Sequence, residues 1–399
     1  ILWCRHCFGI KIHLFLIHLF HLLALLSKPA AIVFPFTCLA VSWYFRRDLR
    51  EDVKKLIPSI LLSLIFSYIT IKAQQSSAAI MELKQMPVYY RVFSVSFGVF
   101  TYIVKFFFPY DQTPFYPYPD YSYGIPKEMY FYVAFTIILI LAVIFLFIKG
   151  WLREFVFGFL FFIINLLLVL QVVAIGSAIA AERYTYMPYA GFAIPWLLWC
   201  EKLTGKGWFR WILLPSAVVV YFFFLISKAK DMVEIWHDGK SLWKYFIKQY
   251  PHIGKGYFHL AGWYAEYENN YDSAFVNYME AIKRSPAFAE SYIYVGNIYG
   301  IRQKYDSALY YYRKAEELGS TDPTLFVNKG IVFSITGKVD SALNAFSKAI
   351  SKKPDNPETY YNRSVLYFNI KEYEKALSDI NTAIYLRPDA SKNYIHKAR

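Results

Sequence analysis

The sequence predicts an all-α chain in two parts, a polytopic transmembrane helix bundle followed by a solenoid of paired helices. Three observations predict it. Runs of Leu, Ile, Phe, Val and Tyr dominate residues 1–227 of the 399. Basic residues collect in short segments between those runs. From about residue 250 charges are scattered every few residues, and small and aromatic residues recur every 34 positions.

Hydrophobic residues make up 57% and aromatics 21% of the chain, more than a soluble protein usually carries. Residues 1–249 hold 24 Lys+Arg against 13 Asp+Glu, and residues 250–399 hold 19 against 16. A basic excess beside apolar runs marks loops that flank membrane spans. It argues against nucleic-acid binding, because the charges lie between hydrophobic segments and form no single stripe. The chain opens on Ile1 within an apolar stretch and ends at Arg399 inside a repeat. It reads as a fragment cut at both ends, so a missing signal peptide carries no information.

About 20 apolar residues are needed to cross the hydrocarbon core. Candidate spans are 7–26, 30–45, 56–71, 88–108, 129–148, 155–176, 189–201 and 208–227. No period-2 alternation dominates, so helices are expected rather than a barrel. Loop charge expects "RRDLREDVKK" (46–55), "KGWLR" (149–153) and "EKLTGKGWFR" (201–210) on the cytoplasmic side. That puts residues 180–192 and the C-terminal half outside. Three candidate spans separate the first two basic loops, where an even number is required. The segment 88–108, with Arg91 and Lys105, is therefore expected to be re-entrant or interfacial. If it spans, the C-terminal half is cytoplasmic. The Pro- and Tyr-rich stretch 106–128 cannot be a helix and belongs at an interface or over a cavity.

In the second half Ala274, Ala308, Ala342 and Ala376 are 34 residues apart, as are Ala281, Ala315, Ala349 and Ala383. Gly262, Gly296, Gly330 and Ser364 keep the same period, and Phe258, Tyr292, Phe326 and Tyr360 open each unit. Pro286, Pro354 and Pro388 close three units, with Ser320 in the other. Small residues let paired helices approach, large ones fill the groove, and Pro ends the second helix for want of an amide donor. This pattern resembles the tetratricopeptide repeat (TPR), a helix-turn-helix unit. Four units are expected at 255–288, 289–322, 323–356 and 357–390, with a fifth starting at 391. The domain reading is 1–230 membrane bundle, 231–254 connector and 255–399 repeats. Such an array offers a groove to an extended peptide or another protein, with Asn297, Asn328 and Asn362 as candidate contacts. The sequon "NRS" at 362–364 falls in a predicted helix and is discounted.

Cys4 and Cys7 form a single CxxC, with His6, His13, His18 and His21 nearby. No second CxxC follows and the histidines lie in an apolar helix, so no metal is expected. Cys38 and Cys200 sit in apolar runs as small hydrophobes.

Several membrane segments match a known family in order. They are "LLALLSKPAAIVFPFTCLA" (22–40), "YIVKFFFPYDQTPFYPYP" (102–119), "AERYTYMPYAGF" (181–192) and "EIWHDGKSLWKYFIKQYPHIGKGYFHLAGWYAE" (234–266). With the repeats, the chain resembles the transmembrane, tetratricopeptide-repeat O-mannosyltransferase-like proteins, polytopic glycosyltransferases of the GT-C type. The resemblance implies transfer of a sugar from a polyprenyl-phosphate donor to a protein or glycan hydroxyl outside the cytoplasm. Beyond this donor it implies no certain cofactor and leaves metal dependence open. The family's catalytic acid, in its first external loop, would precede Ile1, so the catalytic residue is not among those present. Pro29 departs from the Glu that relatives often carry after the Lys. Ionisable groups at membrane depth default to functional roles. The implied donor-binding set is therefore Arg183 for phosphate, Glu182 to orient it, Tyr184 and Tyr186 to stack on sugar or lipid, and Lys28 and Lys105 to neutralise charge. The bland reading makes Glu182 and Arg183 an interfacial ion pair and the tyrosines an aromatic belt. Membrane lipid and a protein held by the repeats are the expected partners, and no nucleic acid. Two competing function classes are a non-catalytic membrane-anchored repeat scaffold and, more remotely, a transporter.

Overall fold

The computed structural model describes residues 2–10, 13–76, 88–109, 113, 116–118, 125–170, 178–181, 184–203 and 213–389. Contacts divide the chain into two compact units, Ile1–Val233 and Glu234–Arg399.

The first unit is built from α1 (Leu2–Cys7), α2 (Leu14–Ser27), α3 (Phe34–Tyr44), α4 (Leu49–Ser76), α5 (Val88–Phe107), α6 (Lys127–Lys149), α7 (Arg153–Leu166), α8 (Tyr186–Leu203) and α9 (Leu213–Ile235). Two short strands, β1 (Tyr116–Pro117) and β2 (Ala178–Ala180), pair antiparallel. Among the described residues three helices are long and apolar enough to cross a membrane: Leu49–Ala73, Tyr89–Phe107 and Lys127–Lys149. Exposed apolar side chains such as Leu64, Ile65, Ile138 and Leu141 cover α4 and α6, the surface expected of lipid-facing helices.

Two expectations are corrected here. The first candidate span is not one helix. The chain breaks after α1 at Gly9, with φ +78°, and α2 begins only at Leu14. At 1.5 Å per residue, α2 is about 21 Å long, short of the hydrocarbon thickness. The segment 88–108 is not re-entrant. It forms one unbroken 20-residue helix, about 30 Å long. Arg91 and Lys105 sit on it without interrupting it.

In the N-terminal segment, Trp3, His18 and His21 bond to neighbouring elements. Trp3 Nε1 donates to Ser42 Oγ at 3.0 Å, His18 Nδ1 meets Ser59 Oγ at 2.8 Å, and His21 Nε2 meets Ala31 O at 3.1 Å. Among the described residues no group of three His, Cys, Asp or Glu side chains is placed to hold a metal.

The second unit opens with α10 (Gly239–Gln249), followed by four helix pairs. The inner helices are α11 (Gly254–Glu266), α13 (Ala289–Ile301), α15 (Pro323–Ile335) and α17 (Pro357–Asn369). The outer helices are α12 (Tyr271–Arg284), α14 (Tyr305–Glu317), α16 (Val339–Lys352) and α18 (Tyr373–Leu386). Local chemistry sets their ends. Asp322 and Asn356 accept hydrogen bonds from the amides of Thr324 and Glu358, and a proline follows each cap. Asn269, Gln303, Gly337 and Lys371, 34 residues apart, all take positive φ where an inner helix ends.

The periodic alanines lie at the centre of each pair. Ala274, Ala281, Ala308, Ala315, Ala342, Ala349 and Ala383 are fully buried, and Ala376 nearly so. The glycines face the aromatic residue of the outer helix. A Cβ at Gly296 would sit 2.5 Å from the Tyr312 ring, and one at Gly330 2.7 Å from Phe346. Ser364 replaces Gly in the fourth pair, where Ile380 stands at the aromatic position. Gly262 has more room, with Tyr278 Oη 3.8 Å away. Successive inner helices (α13 with α15, α15 with α17) approach more closely than successive outer helices do. The inner row therefore lines the concave side of the curve.

The segment 239–249, placed by sequence within the connector, is a helix whose apolar face closes the first pair. Phe246 is fully buried. Trp243 stacks on His259 of α11 at 4.2 Å, 18° between planes. Burial pushes the His259 imidazole down to about 4, with Lys255 adding to the shift. The folded state thus favours neutral His259, while the unfolded chain takes up its proton near the ordinary value of 6.5. Stability of this unit is expected to fall as pH drops from about 6.5 to about 4 and then level off, by at most about 3 kcal/mol. His259→Phe keeps a stacked ring without a titrating group. Urea midpoints followed by circular dichroism from about pH 7.5 to 4 check this: the difference between wild type and His259→Phe must vary with pH over that window.

Candidate functional site

Two arrangements carry chemistry, one in each unit. In the first unit, the C-terminal part of α5 gathers two of the four family-like segments, 102–119 and 181–192, around one tyrosine. Tyr102 is fully buried. Its hydroxyl donates to Ala181 O at 3.3 Å and accepts from the Ala181 amide at 3.0 Å. Tyr189 of α8 returns a hydrogen bond to Tyr102 O at 3.0 Å. The strand pair sets Tyr116 opposite Ala180. Lys105, one turn beyond Tyr102, is 6% exposed and lies over the Tyr116 ring at 5.0 Å, a cation–π distance. Tyr221 of α9 donates to Phe106 O at 3.3 Å and Phe107 O at 3.1 Å, satisfying carbonyls that a helix end leaves open.

The sequence-derived site residues divide on this platform. Lys105 is built into it. Tyr184 is half-buried beside it, its amide bonding Ala181 O at 3.2 Å. Tyr186 starts α8 and is 84% exposed. Glu182 and Arg183 lie outside the described residues. Lys28 is exposed at the break after α2 and takes no part in the platform. Tyr102, which ties the segments together, was missed by sequence reasoning. Its only signal was a tyrosine at the start of the 102–119 segment.

In the second unit the inner helices present the groove. Asn297 and Asn328 are half-buried rather than exposed. Asn297 Oδ1 accepts from Tyr312 Oη at 2.9 Å and from Asn328 Nδ2 at 2.7 Å, bridging adjacent pairs. Among the described residues this leaves Asn297 Nδ2 and Asn328 Oδ1 without a partner, one donor and one acceptor on the concave side. Asn362 is half-buried within α17. Tyr267, Ile301 and Ile335, again 34 apart, are 67%, 58% and 58% exposed at the ends of the inner helices.

A family model described as TPR repeat matches residues 335–371, and one described as tetratricopeptide repeat matches residues 357–390. The second unit carries TPR repeats. No curated protein matches the chain. Among solved structures, it is similar to TTC0263, a thermophilic TPR protein of Thermus thermophilus, at 20% identity over 40% of this chain and 87% of that one, TM-score 0.36. It is similar to YrrB, described as a TPR protein with an unusual peptide-binding site, at 20% identity over 39% and 98%, TM-score 0.23. Pseudomonas aeruginosa pilF follows at 14% identity over 46% and 80%, TM-score 0.36.

Proposed function

We propose that the chain is a membrane-anchored protein-interaction array whose TPR groove grips an extended segment of a partner. The observation that carries this is the concave row: exposed Tyr267, Ile301 and Ile335 at one register position, beside amide groups of Asn297 and Asn328 that retain bonding capacity. An extended peptide offers a backbone donor and acceptor to such amides and alternate side chains to the apolar row. Helices of spanning length in the first unit supply the anchor. With α5 counted among them, loop charge sets the repeats on the cytoplasmic side; with α5 lying at the interface, they are extracytoplasmic. A cysteine placed at exposed Asp306 and challenged with an impermeant reagent on intact cells reads the side directly.

Photo-crosslinking tests the groove. A benzophenone side chain at Ile301 or Ile335 should give discrete crosslinked products, and the same label at Arg313 on the outer helix should not. Equal yields from both faces would discard the groove as the binding surface.

A second reading, transfer of a polyprenyl-phosphate-linked sugar, is favoured by one observation. Two of the four segments resembling the GT-C family, 102–119 and 181–192, far apart in sequence, converge on Tyr102 with a buried lysine beside them. On this reading Lys105 and Arg183 offset the donor's phosphate charge. The full-length protein should then move labelled sugar from such a donor to an acceptor hydroxyl. Arg183→Ala and Lys105→Met should each lower transfer roughly tenfold or more, the loss of one charge-assisted contact. Donor binding and turnover unchanged in both variants would rule the reading out.

A further inference from the structure

The repeats can be compared position by position, and the junction of the first two pairs departs from the others. There α11 and α13 carry Glu266, Glu290 and Tyr294, where the third pair has Ser334, Thr324 and Asn328 in register. Glu266 adjoins Tyr267 of the concave row, and Glu290 and Tyr294 are neighbours one turn apart on α13. Tyr294 is 39% exposed. Its ring stacks on Tyr278 at 5.2 Å and meets Phe258 edge-on at 5.3 Å, so it reaches across onto the first pair. Trp263 stacks on Tyr267 at 4.1 Å, 18° between planes. Open aromatic faces and carboxylates thus share this end of the groove.

Those carboxylates are uncompensated. Glu266 and Glu290 are exposed, and among the described residues neither carries an ion pair. Neighbouring acids of the same pairs are matched: Glu268 with Lys240, Asp272 with Arg302, and Glu280 with Arg284. Asp322, which caps α15, adds a third negative charge. Burial, then Asp322, Glu266 and Glu290, raise the Tyr294 hydroxyl above its ordinary value, and among the described residues no base acts on it. Lys255, at the start of α11, acts on His259 instead. Arg302 and Lys304 follow the end of α13, about 18 Å along the helix from Glu290. The fourth pair shows how rings and a carboxylate hold a base. Arg363 lies over Tyr360 and Tyr367 at 5.9 and 5.8 Å, and its guanidinium donates to Asp379 at 2.7 and 2.8 Å. At the junction of α11 and α13 the rings and the carboxylates recur without the base.

We propose that the end of the concave groove formed by α11 and α13 receives a lysine or arginine side chain of the partner segment. The base lies against Tyr294 and the Trp263–Tyr267 stack, between Glu266 and Glu290, and the apolar residues beyond it lie along Ile301 and Ile335. This rests on the reading of the concave face as the binding surface and adds which segment it selects, basic at one end and apolar beyond. Cation–π attraction and charge-assisted hydrogen bonds act together on such a base.

The test uses the full chain in nonionic detergent micelles and fluorescein-labelled octapeptides Gly-X-Ser-Ile-Ser-Ile-Ser-Gly, with X as Arg, Gln or Glu. Alternate residues of an extended chain point the same way, so X and both isoleucines can face the groove together. Fluorescence anisotropy should show saturable binding of the Arg peptide, roughly tenfold weaker binding of the Gln peptide and weaker binding still of the Glu peptide. The Arg preference should shrink as salt rises. Glu266→Gln with Glu290→Gln should bring the Arg and Gln peptides to one affinity, and Glu266→Lys with Glu290→Lys should turn the preference toward the Glu peptide, both at unchanged melting temperature. Ile301→Ser with Ile335→Ser should weaken all three peptides alike, which reads the groove apart from its charge. Equal binding of the three peptides that is lost in the serine variant overturns the proposal and leaves the groove reading standing. Binding untouched by the serine variant, or no binding up to millimolar concentration, overturns both. An Arg preference that survives Glu266→Gln with Glu290→Gln overturns the proposal as well.

Discussion

Gly158→Val is expected to abolish the folded first unit. The helices α7 and α8 cross backbone to backbone at Gly158 and Gly191. A Cβ at 158 would lie 2.3 Å from Gly191 O and 2.5 Å from Pro195 Cγ, and one at 191 would lie 2.6 Å from Gly158 O. These neighbours are main chain and a ring, so no rotamer change relieves them. The helices would have to part along a contact that also carries Phe162 against Phe192 at 4.3 Å. Tyr189 and Phe106, 5.2 Å apart, would lose register with it, and the Tyr102 platform with them. Overpacking usually costs about 1–3 kcal/mol; with backbone on both sides, a cost above about 3 kcal/mol is expected. Small residues at such crossings are how membrane helices pack closely. Gly98→Ala is the control, since its Cβ would meet the end of the Leu170 side chain at 3.2 Å and the Tyr102 ring at an ordinary contact distance of 3.9 Å, with no backbone in the way. Yield and melting temperature in detergent read the result. A wild-type melting temperature for Gly158→Val would mean the crossing is not tight.

How much of this was legible in the sequence depends on the kind of contact. The repeats were legible because packing of one pair on the next forces small and large residues to recur: Ala308 and Ala342, Tyr312 and Phe346. The break near the start of the first candidate span was not, because Gly9 in an apolar stretch reads equally as a small residue or a break. The helix at 239–249 was missed although Trp243, Phe246 and Tyr250 have helical spacing; its charged residues masked an apolar face that only His259 and α11 reveal. The α5 platform was legible as motifs but not as a place. Tyrosine hydroxyls bonded to distant backbone, as Tyr102 is to Ala181, leave no periodic trace. The asparagines illustrate the opposite error. Asn297 and Asn328 were read as exposed groove contacts, whereas they are half-buried and part of their bonding capacity is spent between repeats.

Departures from the repeat pattern therefore carry the most information about function and stability, and the Arg363–Asp379 pair is the measurable case. Its side chains are 18% and 9% exposed, at positions where the second pair holds Val295 and Tyr311. Asp379→Ala leaves the guanidinium half-enclosed by Tyr360 and Tyr367, with Ser347 Oγ, at 3.4 Å, still accepting from it. Removing one partner of a buried pair costs about 3–5 kcal/mol; the residual exposure lowers the expectation to about 3 kcal/mol. Arg363→Val alone should cost a similar amount by stranding the carboxylate. The double variant Arg363→Val with Asp379→Tyr copies the second pair. It should return to within about 1 kcal/mol of wild type, because an apolar replacement of similar volume restores packing without desolvated charge. Urea unfolding of all four proteins gives the coupling directly. Single variants costing under about 1 kcal/mol, the range of a solvated surface pair, or a double variant no better than the worse single, would show that the pair is solvated in solution and that the repeat frame does not set its energetics.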